Sequence, residues 1–245
     1  MPKNNLPEAT QALWQQLQDS AMLNGFVLIG GTALAIQIDH RVSEDLDFAY
    51  LGESLPKQRI ARLEKDLASS GWLLHKTHDL AAIDDFIDAG LDLDEHQQNF
   101  LASSSCGEAK ASFVAFGHPV RDVLSGDNNA PLRIATLPEI FKTKAIAVSQ
   151  RVKSRDIVDL YVLMNERGFS IDDFHEVFLT HLSDAAFDIA CHNLMAANLS
   201  PADEGYESLM KDPPSIEEMQ LFFQDTINEY RRAIGHESIF EPKKI

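Results

Sequence analysis

Two aspartates and a glycine pair are the residues of this sequence whose type and spacing most clearly suggest chemistry. Asp45 and Asp47 are separated by one residue in "SEDLDF", and Gly30-Gly31 precedes them in "FVLIGGTALAIQI". Side chains along a strand alternate between its two faces. The sequence therefore predicts both carboxylates on one face and the apolar residues beside them on the core side.

This arrangement is suited to binding a cation and a polyphosphate together. Two carboxylates held close repel each other unless a cation or a proton intervenes, and Mg²⁺ prefers carboxylate oxygens completed by water and substrate phosphates. A strand that ends at a glycine pair and opens into a helix lets backbone N–H groups approach a triphosphate. The motif alone leaves an alternative open, because aspartate pairs also occur on exposed edge strands that bind nothing.

The elements that must position these residues differ between the two halves of the chain. Residues 25–31, 46–51, 72–78 and 108–117 have the composition of strands, and helices are predicted over 7–23, 32–38 and 56–71. Segment 80–100 is acidic and ambiguous between a helix and an exposed loop. From residue 138 onward the pattern is helical, at 139–150, 154–167, 171–182, 185–198 and 216–234, with 200–215 as a flexible connection. We predict an α/β domain over 1–137 and a helical domain over 138–245.

Composition limits the classes of partner. The 245 residues are 44% apolar, which supports a hydrophobic core, and the net charge of −17 disfavours unspecific binding to nucleic acid. The exception is segment 142–155, which contains Lys142, Lys144, Arg151, Lys153 and Arg155. The two cysteines and the scattered histidines lack the spacing of a zinc site.

Location is also an expectation from composition. The apolar runs are too short or too interrupted to span a bilayer, and the N-terminal residues do not resemble an export leader. We expect a cytoplasmic protein with no membrane partner.

Two blocks of sequence resemble a known family. The order of strand, glycine pair, helix, serine and DxD strand resembles the polymerase-beta-type nucleotidyltransferase superfamily. More narrowly, "IGGTALAIQIDHRVSEDLDF" and "LRIATLPEIFKTKAIAVSQRVKSRDIVDLYVLM" resemble the AbiEii/AbiGii toxin family, with its GGTAL, HR-S-DLDF and later lysine and RD-x-x-DL-like patterns. The resemblance covers roughly residues 25–165. It implies an α+β fold: a nucleotidyltransferase-type mixed sheet with flanking helices, followed by a mainly helical half that completes the cleft.

The resemblance also implies roles for the matching residues. Asp45 and Asp47 would hold Mg²⁺ against the nucleotide phosphates, Lys144 would reach the nucleotide, and Asp156 would be a functional position in the following helix. The implied substrate-binding residues are Gly30, Gly31, Thr32, Arg41, Ser43, Arg151, Arg155 and Asp159.

Structural alternatives remain open at several of these positions. Ser43 could cap a turn, and Lys144 could be a solvated lysine on a helix face. Asp156 and Asp159 share a helical face and could pair with basic residues at the start of that helix. The basic segment 142–155 is the predicted surface for a triphosphate and for an RNA acceptor.

The implied activity is transfer of a nucleoside monophosphate from a nucleoside triphosphate to an acceptor. The resemblance suggests an RNA acceptor such as a tRNA 3′ end, a toxin role in a toxin–antitoxin or phage-defence pair, and a cognate antitoxin with a DNA-binding domain. Many nucleotidyltransferases carry a third carboxylate on a later strand, but this chain has Ser112 and Phe113 there. Glu108 and Asp122 are the remaining candidates for that role.

Two other hypotheses stay open from the sequence. The acidic composition favours a small cationic acceptor, as in aminoglycoside nucleotidyltransferases. The missing third carboxylate favours a nucleotide-binding regulatory protein without turnover.

Overall fold

The structure is a computed structural model that describes residues 5–77 and 91–240, with side chains described as far as residue 234. The chain divides into two compact units, Met1–Ile140 and Phe141–Ile245, which we call the N-terminal and C-terminal units. Part of the ambiguous segment 80–100 lies outside the described residues. Within the described residues, no helix is long and apolar enough to cross a membrane.

The N-terminal unit is built on a six-stranded mixed sheet. Its elements are α1 (Glu8–Leu17), a 3-10 turn (Ala21–Leu23), β1 (Phe26–Ile29), α2 (Gly30–Ile38), β2 (Asp45–Tyr50), α3 (Lys57–Ser69), β3 (Leu73–Thr77), α4 (Leu93–His96), β4 (Gln97–Ser104), β5 (Gly107–Ala115), α5 (Val120–Val123) and β6 (Arg133–Ile134). The strand order is β3-β4-β5-β2-β1-β6. The pairs β2–β5 and β1–β6 are parallel, and the others are antiparallel.

One face of this sheet forms the core of the unit. Helix α1 packs against β2, β4 and β5, and α3 packs against β3. The buried rings of Phe48 and Phe113 stack with centroids 5.2 Å apart, and Phe26 and Phe100 contact Phe113 edge-on at 5.7 and 5.9 Å. Because side chains alternate along each strand, the residues between these buried aromatic residues lie on the opposite face of the sheet.

Strand β4 was not assigned from the sequence. Gln98, Phe100 and Ala102 point into the core in alternation, so an amide occupies the first inward position. The Nε2 of Gln98 donates to the backbone oxygen of Asp94 at 2.8 Å, which satisfies the buried group. A polar residue at an inward position interrupts the alternation of apolar and polar residues by which a strand is predicted from sequence.

The C-terminal unit is helical, as predicted. Helix α6 (Leu137–Gln150) contains the boundary between the units and is followed by α7 (Ser154–Arg167), α8 (Ile171–His181), α9 (Asp184–Ala196), a 3-10 turn (Glu207–Leu209) and α10 (Ile216–Phe240). Phe174, Phe178, Phe187 and Phe223 are buried in its core. The predicted α+β class, a mixed sheet with flanking helices followed by a mainly helical half, is confirmed.

The connection 200–215 is anchored to α7. The carboxylate of Asp203 accepts hydrogen bonds from the backbone N–H of Ser154 at 3.1 Å and from its hydroxyl, and thus caps the helix. Arg155 Nε donates to the backbone oxygen of Gly205 at 3.0 Å, and Tyr206 is buried. The composition of this segment is that of a flexible linker, whereas its contacts hold it in place.

Candidate active site

The glycine pair joins β1 directly to α2. The four residues of β1 are buried, and α2 begins at the next residue, Gly30, whose φ of +73° lies in the region that favours glycine. A Cβ added at Gly30 would lie 2.9 Å from Asp47 Oδ2. A Cβ added at Gly31 would lie 2.9 Å from Ser43 Oγ and would overlap the guanidinium of Arg41. The pair therefore lets the first turn of α2 approach side chains on β2 and just before it.

The two carboxylates lie on one face of β2, as predicted. Asp45 and Asp47 are half-buried, whereas Leu46 and Phe48 are fully buried on the opposite face. Asp45 Oδ1 lies 4.0 Å from the Nζ of Lys110, the residue beside it on β5. Asp47 Oδ2 lies close to Gly30, so a carboxylate oxygen, which can bind a hard cation, lies at the N-terminus of a helix, where anions bind well.

Buried polar residues support the glycine turn. Thr32, Arg41 and Ser43 are all buried. The hydroxyl oxygens of Thr32 and Ser43 lie 2.9 Å apart in a hydrogen bond, and Thr32 also donates to the backbone oxygen of Asp45. Arg41 Nη1 donates to the backbone oxygen of Val42 at 3.0 Å. This network fixes a guanidinium and two hydroxyls beside the start of α2, a chemistry that suits a phosphate.

We expect Gly30→Ala to cost both stability and activity. The backbone cost of a left-handed alanine is about 1–2 kcal/mol, and the added Cβ would also displace Asp47. Asp47 is a predicted metal ligand, and displacement of such a ligand costs roughly 10- to 100-fold in rate. Gly71→Ala is the matched control, because Gly71 has φ +87° and none of the described residues lies within 4 Å of its added Cβ. Urea unfolding and transfer rates separate the two effects; equal loss of activity in both variants would contradict this account.

The position of the third carboxylate is occupied by a hydroxyl. Ser112 on β5 pairs with Asp47 in register, and Asn99 on β4 pairs with Ser112. Glu108 lies on the same face at the start of β5, and Asp122 lies on α5, where it pairs with His118 Nδ1 at 2.6 Å. Within the described part of the chain, no group of three or more His, Cys, Asp or Glu side chains is placed to hold a metal.

A second cluster of charged residues lies in the C-terminal unit. Lys144 on α6 has its Nζ 2.7 Å from Asp156 Oδ1 and 2.7 Å from Asp159 Oδ2, both on α7. Asp156 Oδ2 also accepts from Arg151 Nε at 2.9 Å. Lys144 is 8% exposed, Asp156 2% and Asp159 0%. Lys144 is therefore not a solvated helix-face lysine, and the pairing of Asp156 with Arg151 at the helix start is confirmed.

Arg155 contacts the connection 200–215. Besides its bond to the backbone of Gly205, its Nη1 lies 3.2 Å from Glu204 Oε2. The sequence-predicted site residues thus form two groups within their own units: Gly30, Gly31, Thr32, Arg41, Ser43, Asp45 and Asp47 in one, and Lys144, Arg151, Asp156 and Asp159 in the other. The sequence analysis missed Lys110, which only the strand register brings beside Asp45.

The charge cluster predicts a dependence of stability on pH. Burial alone would raise the pKa of Asp156, but the charges of Lys144 and Arg151 outweigh it and hold that pKa below its ordinary value. A lowered folded pKa stabilises the protein fully above the unfolded value of about 3.9, and this stabilisation is lost as pH falls through the folded pKa.

We therefore expect Asp156→Asn to reduce the loss of unfolding free energy between pH 6 and pH 3. Urea titrations at several pH values measure this slope. The exposed Asp172 provides the control variant Asp172→Asn, which should follow the wild-type slope. If the free energy of unfolding of Asp156→Asn changed with pH as steeply as that of the wild type, Asp156 would not be the cause of the pH dependence.

The mixed sheet places the glycine turn beside the DxD strand, as the resemblance to nucleotidyltransferases implies. The chain belongs to the family described as Nucleotidyl transferase AbiEii toxin, Type IV TA system, whose sequence model matches residues 11–236. The resemblance based on two blocks is confirmed, and the match extends into the C-terminal helices, which the sequence analysis could not relate to the family. Membership favours an enzyme over a regulatory protein without turnover.

The chain is also similar to individual proteins. Uncharacterized protein aq_aa25 of Aquifex aeolicus (strain VF5) is 26% identical over 224 residues, covering 91% of this chain and 96% of that protein. JHP933 from Helicobacter pylori has 18% identity and a TM-score of 0.52, covering 94% of this chain and 96% of that one, and is similar in fold. The nucleotidyltransferase toxin MenT4 (Rv2826c) from Mycobacterium tuberculosis H37Rv has 14% identity and a TM-score of 0.48. The match covers 89% of this chain and 83% of that one.

Proposed function

We propose that this nucleotidyltransferase moves a nucleoside monophosphate from a nucleoside triphosphate to the 3′ end of an RNA, with tRNA as the acceptor class. One observation carries the proposal of the site: Asp47 Oδ2 lies against Gly30, so carboxylate oxygens and the N-terminus of α2 meet at one place. A cation ligand and a phosphate-binding turn in contact are what a metal–triphosphate complex requires.

The residues present fit a bound Mg²⁺. Asp45 and Asp47 offer hard oxygen ligands from one face of β2, both half-buried, and water and nucleotide phosphates would complete the coordination. When bound, the ion would neutralise negative charge on the phosphates during transfer. The first turn of α2 and the guanidinium of Arg41 would bind the triphosphate, and Thr32 and Ser43 would orient that turn through their shared hydrogen bond.

The reaction is a substitution at the α-phosphorus. The acceptor hydroxyl oxygen forms the new bond to phosphorus, the bond to the bridging oxygen breaks, and pyrophosphate leaves with that electron pair. The hydroxyl proton passes to water, because the residue that pairs with Asp47 on β5 is Ser112 and not a carboxylate that could act as a base. A slow turnover is expected from a site without a third carboxylate.

The cluster in the C-terminal unit would contribute a positioned cation. Asp156 and Asp159 hold the ammonium of Lys144 with two bonds of 2.7 Å, so its direction is fixed before any substrate binds. The side chain of Arg151 is 54% exposed and remains accessible to a phosphate while it bonds to Asp156. We infer that Lys144 binds an anionic group of the substrate and that Asp156 and Asp159 position it.

Transfer of label tests this function directly. Purified protein with Mg²⁺ and each α-³²P-labelled nucleoside triphosphate is incubated with bulk tRNA and, separately, with an aminoglycoside. We expect label on tRNA with release of pyrophosphate. Label on the aminoglycoside alone would overturn the RNA acceptor. It would favour a small cationic acceptor, which the protein's net charge of −17 would attract.

The biological setting follows from family membership and is part of the proposal. We propose that the protein acts in the cytoplasm as the toxin of a type IV pair, with a cognate antitoxin that carries a DNA-binding domain. Growth arrest on expression, relieved by the neighbouring gene, would support this role, and unimpaired growth with active enzyme would contradict it.

A further inference from the structure

The face of the sheet that carries the two aspartates continues past them over three strands. The register pairs Asp45 with Lys110 on β5, and Asp47 with Ser112 on β5. Ser112 pairs with Asn99 on β4, and Asn99 pairs with Thr77 on β3. Residues paired in register point to the same face. A row of hydroxyl and amide groups therefore runs from Asp47 to the edge of the sheet, with strands about 4.8 Å apart.

This face is accessible along its length. The side chain of Lys110 is 65% exposed, Thr77 is exposed, and Ser112 and Asn99 are half-buried. The residues that alternate with Ser112, namely Ala111 and Phe113, are 2% and 1% exposed because they lie in the core. The polar row therefore lies on the outer face of these strands, and the packing of their inner face in the core holds the row in place.

The geometry of the transfer assigns a substrate to this face. Strand β2 lies between β1, which leads into the glycine turn, and β5, which carries Lys110 and Ser112. With the triphosphate at the start of α2, pyrophosphate leaves on the β1 side of β2. Attacking and leaving oxygens lie roughly in line at phosphorus, so the acceptor must approach from the β5 side.

We propose that this outer face of β5, β4 and β3 binds the 3′ end of the acceptor RNA, with Lys110 contacting a backbone phosphate and Ser112 and Asn99 contacting the terminal ribose. The proposal rests on the proposed function. Hydroxyl and amide groups can both donate to and accept from the ribose hydroxyls. Lys110 supplies a cation within reach of a strand phosphate, in a chain whose net charge of −17 otherwise repels RNA.

Lys110 also has a role before substrate binds. Its ammonium, 4.0 Å from Asp45, offsets part of the repulsion between the two aspartates. A cation bound by the aspartates would take over that role and would leave the flexible lysine available to a phosphate. The donor complex would in this way prepare the acceptor surface.

The test compares Lys110→Ala with Lys65→Ala, which removes the same charge from an exposed position on α3. With bulk tRNA as the probe, we expect Lys110→Ala to raise the KM for tRNA about 10-fold with the KM for the nucleotide unchanged. The salt dependence of tRNA binding should weaken by about 0.7 in log–log slope, the loss of one phosphate contact. Lys110→Arg should restore the wild-type KM for tRNA and the wild-type salt slope. Asn99→Asp should raise the KM for tRNA and leave the KM for the nucleotide unchanged, because it adds a negative charge to the row.

The outcomes separate this inference from the function on which it rests. Equal tRNA KM values and salt slopes for Lys110→Ala and Lys65→Ala, in an enzyme that labels tRNA, would overturn the acceptor surface alone. A wild-type enzyme that labels no tRNA would overturn the proposed acceptor and this inference together. Unchanged thermal unfolding of Lys110→Ala shows that the comparison concerns binding, as expected for a side chain this exposed.

Discussion

Replacing both Asp45 and Asp47 with asparagine is expected to lower the rate of nucleotidyl transfer at least about 1000-fold, or about 4 kcal/mol in the activation free energy. Asparagine keeps the shape of each side chain but removes the charge that would hold a divalent cation against the triphosphate. The double variant should still fold, because both side chains are half-buried and their removal relieves a like-charge repulsion. Single-turnover transfer of label measures the rate.

The control for this prediction is Asp66→Asn on the exposed side of α3, which should retain wild-type transfer. Thermal unfolding of the double variant should occur at or above the wild-type temperature. Transfer within about 10-fold of wild type in the double variant would place the chemistry elsewhere.

Lys144→Met is expected to reduce the free energy of unfolding by about 3–5 kcal/mol, because it leaves two buried carboxylates without their shared cation. Asp159 is fully buried and lies 2.7 Å from Lys144, while Asp156 keeps Arg151 as a partner. Methionine fills nearly the same volume as lysine, so the loss reports charge and not a cavity. Urea unfolding at neutral pH gives the magnitude.

The same substitution at Lys142 is the matched control, since Lys142 is on the same helix and only half-buried. It should change the free energy of unfolding by less than about 0.5 kcal/mol. The double variant Lys144→Met with Asp159→Asn should recover part of the lost stability, because it removes the unpaired charge. A destabilisation of the two single lysine variants by equal amounts would show that the buried pairing contributes little.

Local pattern was sufficient to predict the geometry at the centre of the candidate site. The alternation in "DLDF" fixes which side chains share a face, and the glycine pair fixes where a strand can turn into a helix without a side chain in the way. Both are properties of a few consecutive residues. The position of Asp47 against Gly30 then follows from the antiparallel pairing of β1 with β2, in which Asp47 lies opposite Ile29, the residue before Gly30.

Features that depend on distant pairing could not be predicted in this way. Strand β4 escaped assignment because Gln98 faces inward with a bond that only the folded chain supplies. Lys110 lies beside Asp45 because β5 joins β2 in parallel, a register that no local signal specifies. The sequence suggested nearby basic partners for Asp159, and it did not reveal the contact of Asp159 with Lys144 on the preceding helix. In each case the deciding contact joins residues that are remote in sequence or on different elements.

The most direct test is a crystal structure of the protein with Mn²⁺ and a non-hydrolysable nucleoside triphosphate, in which anomalous scattering locates the ion. We predict an ion bound by the carboxylates of both Asp45 and Asp47, with the triphosphate against Gly30, Gly31 and the first turn of α2. An ion coordinated by neither aspartate, or a triphosphate bound away from the glycine pair, would contradict the account.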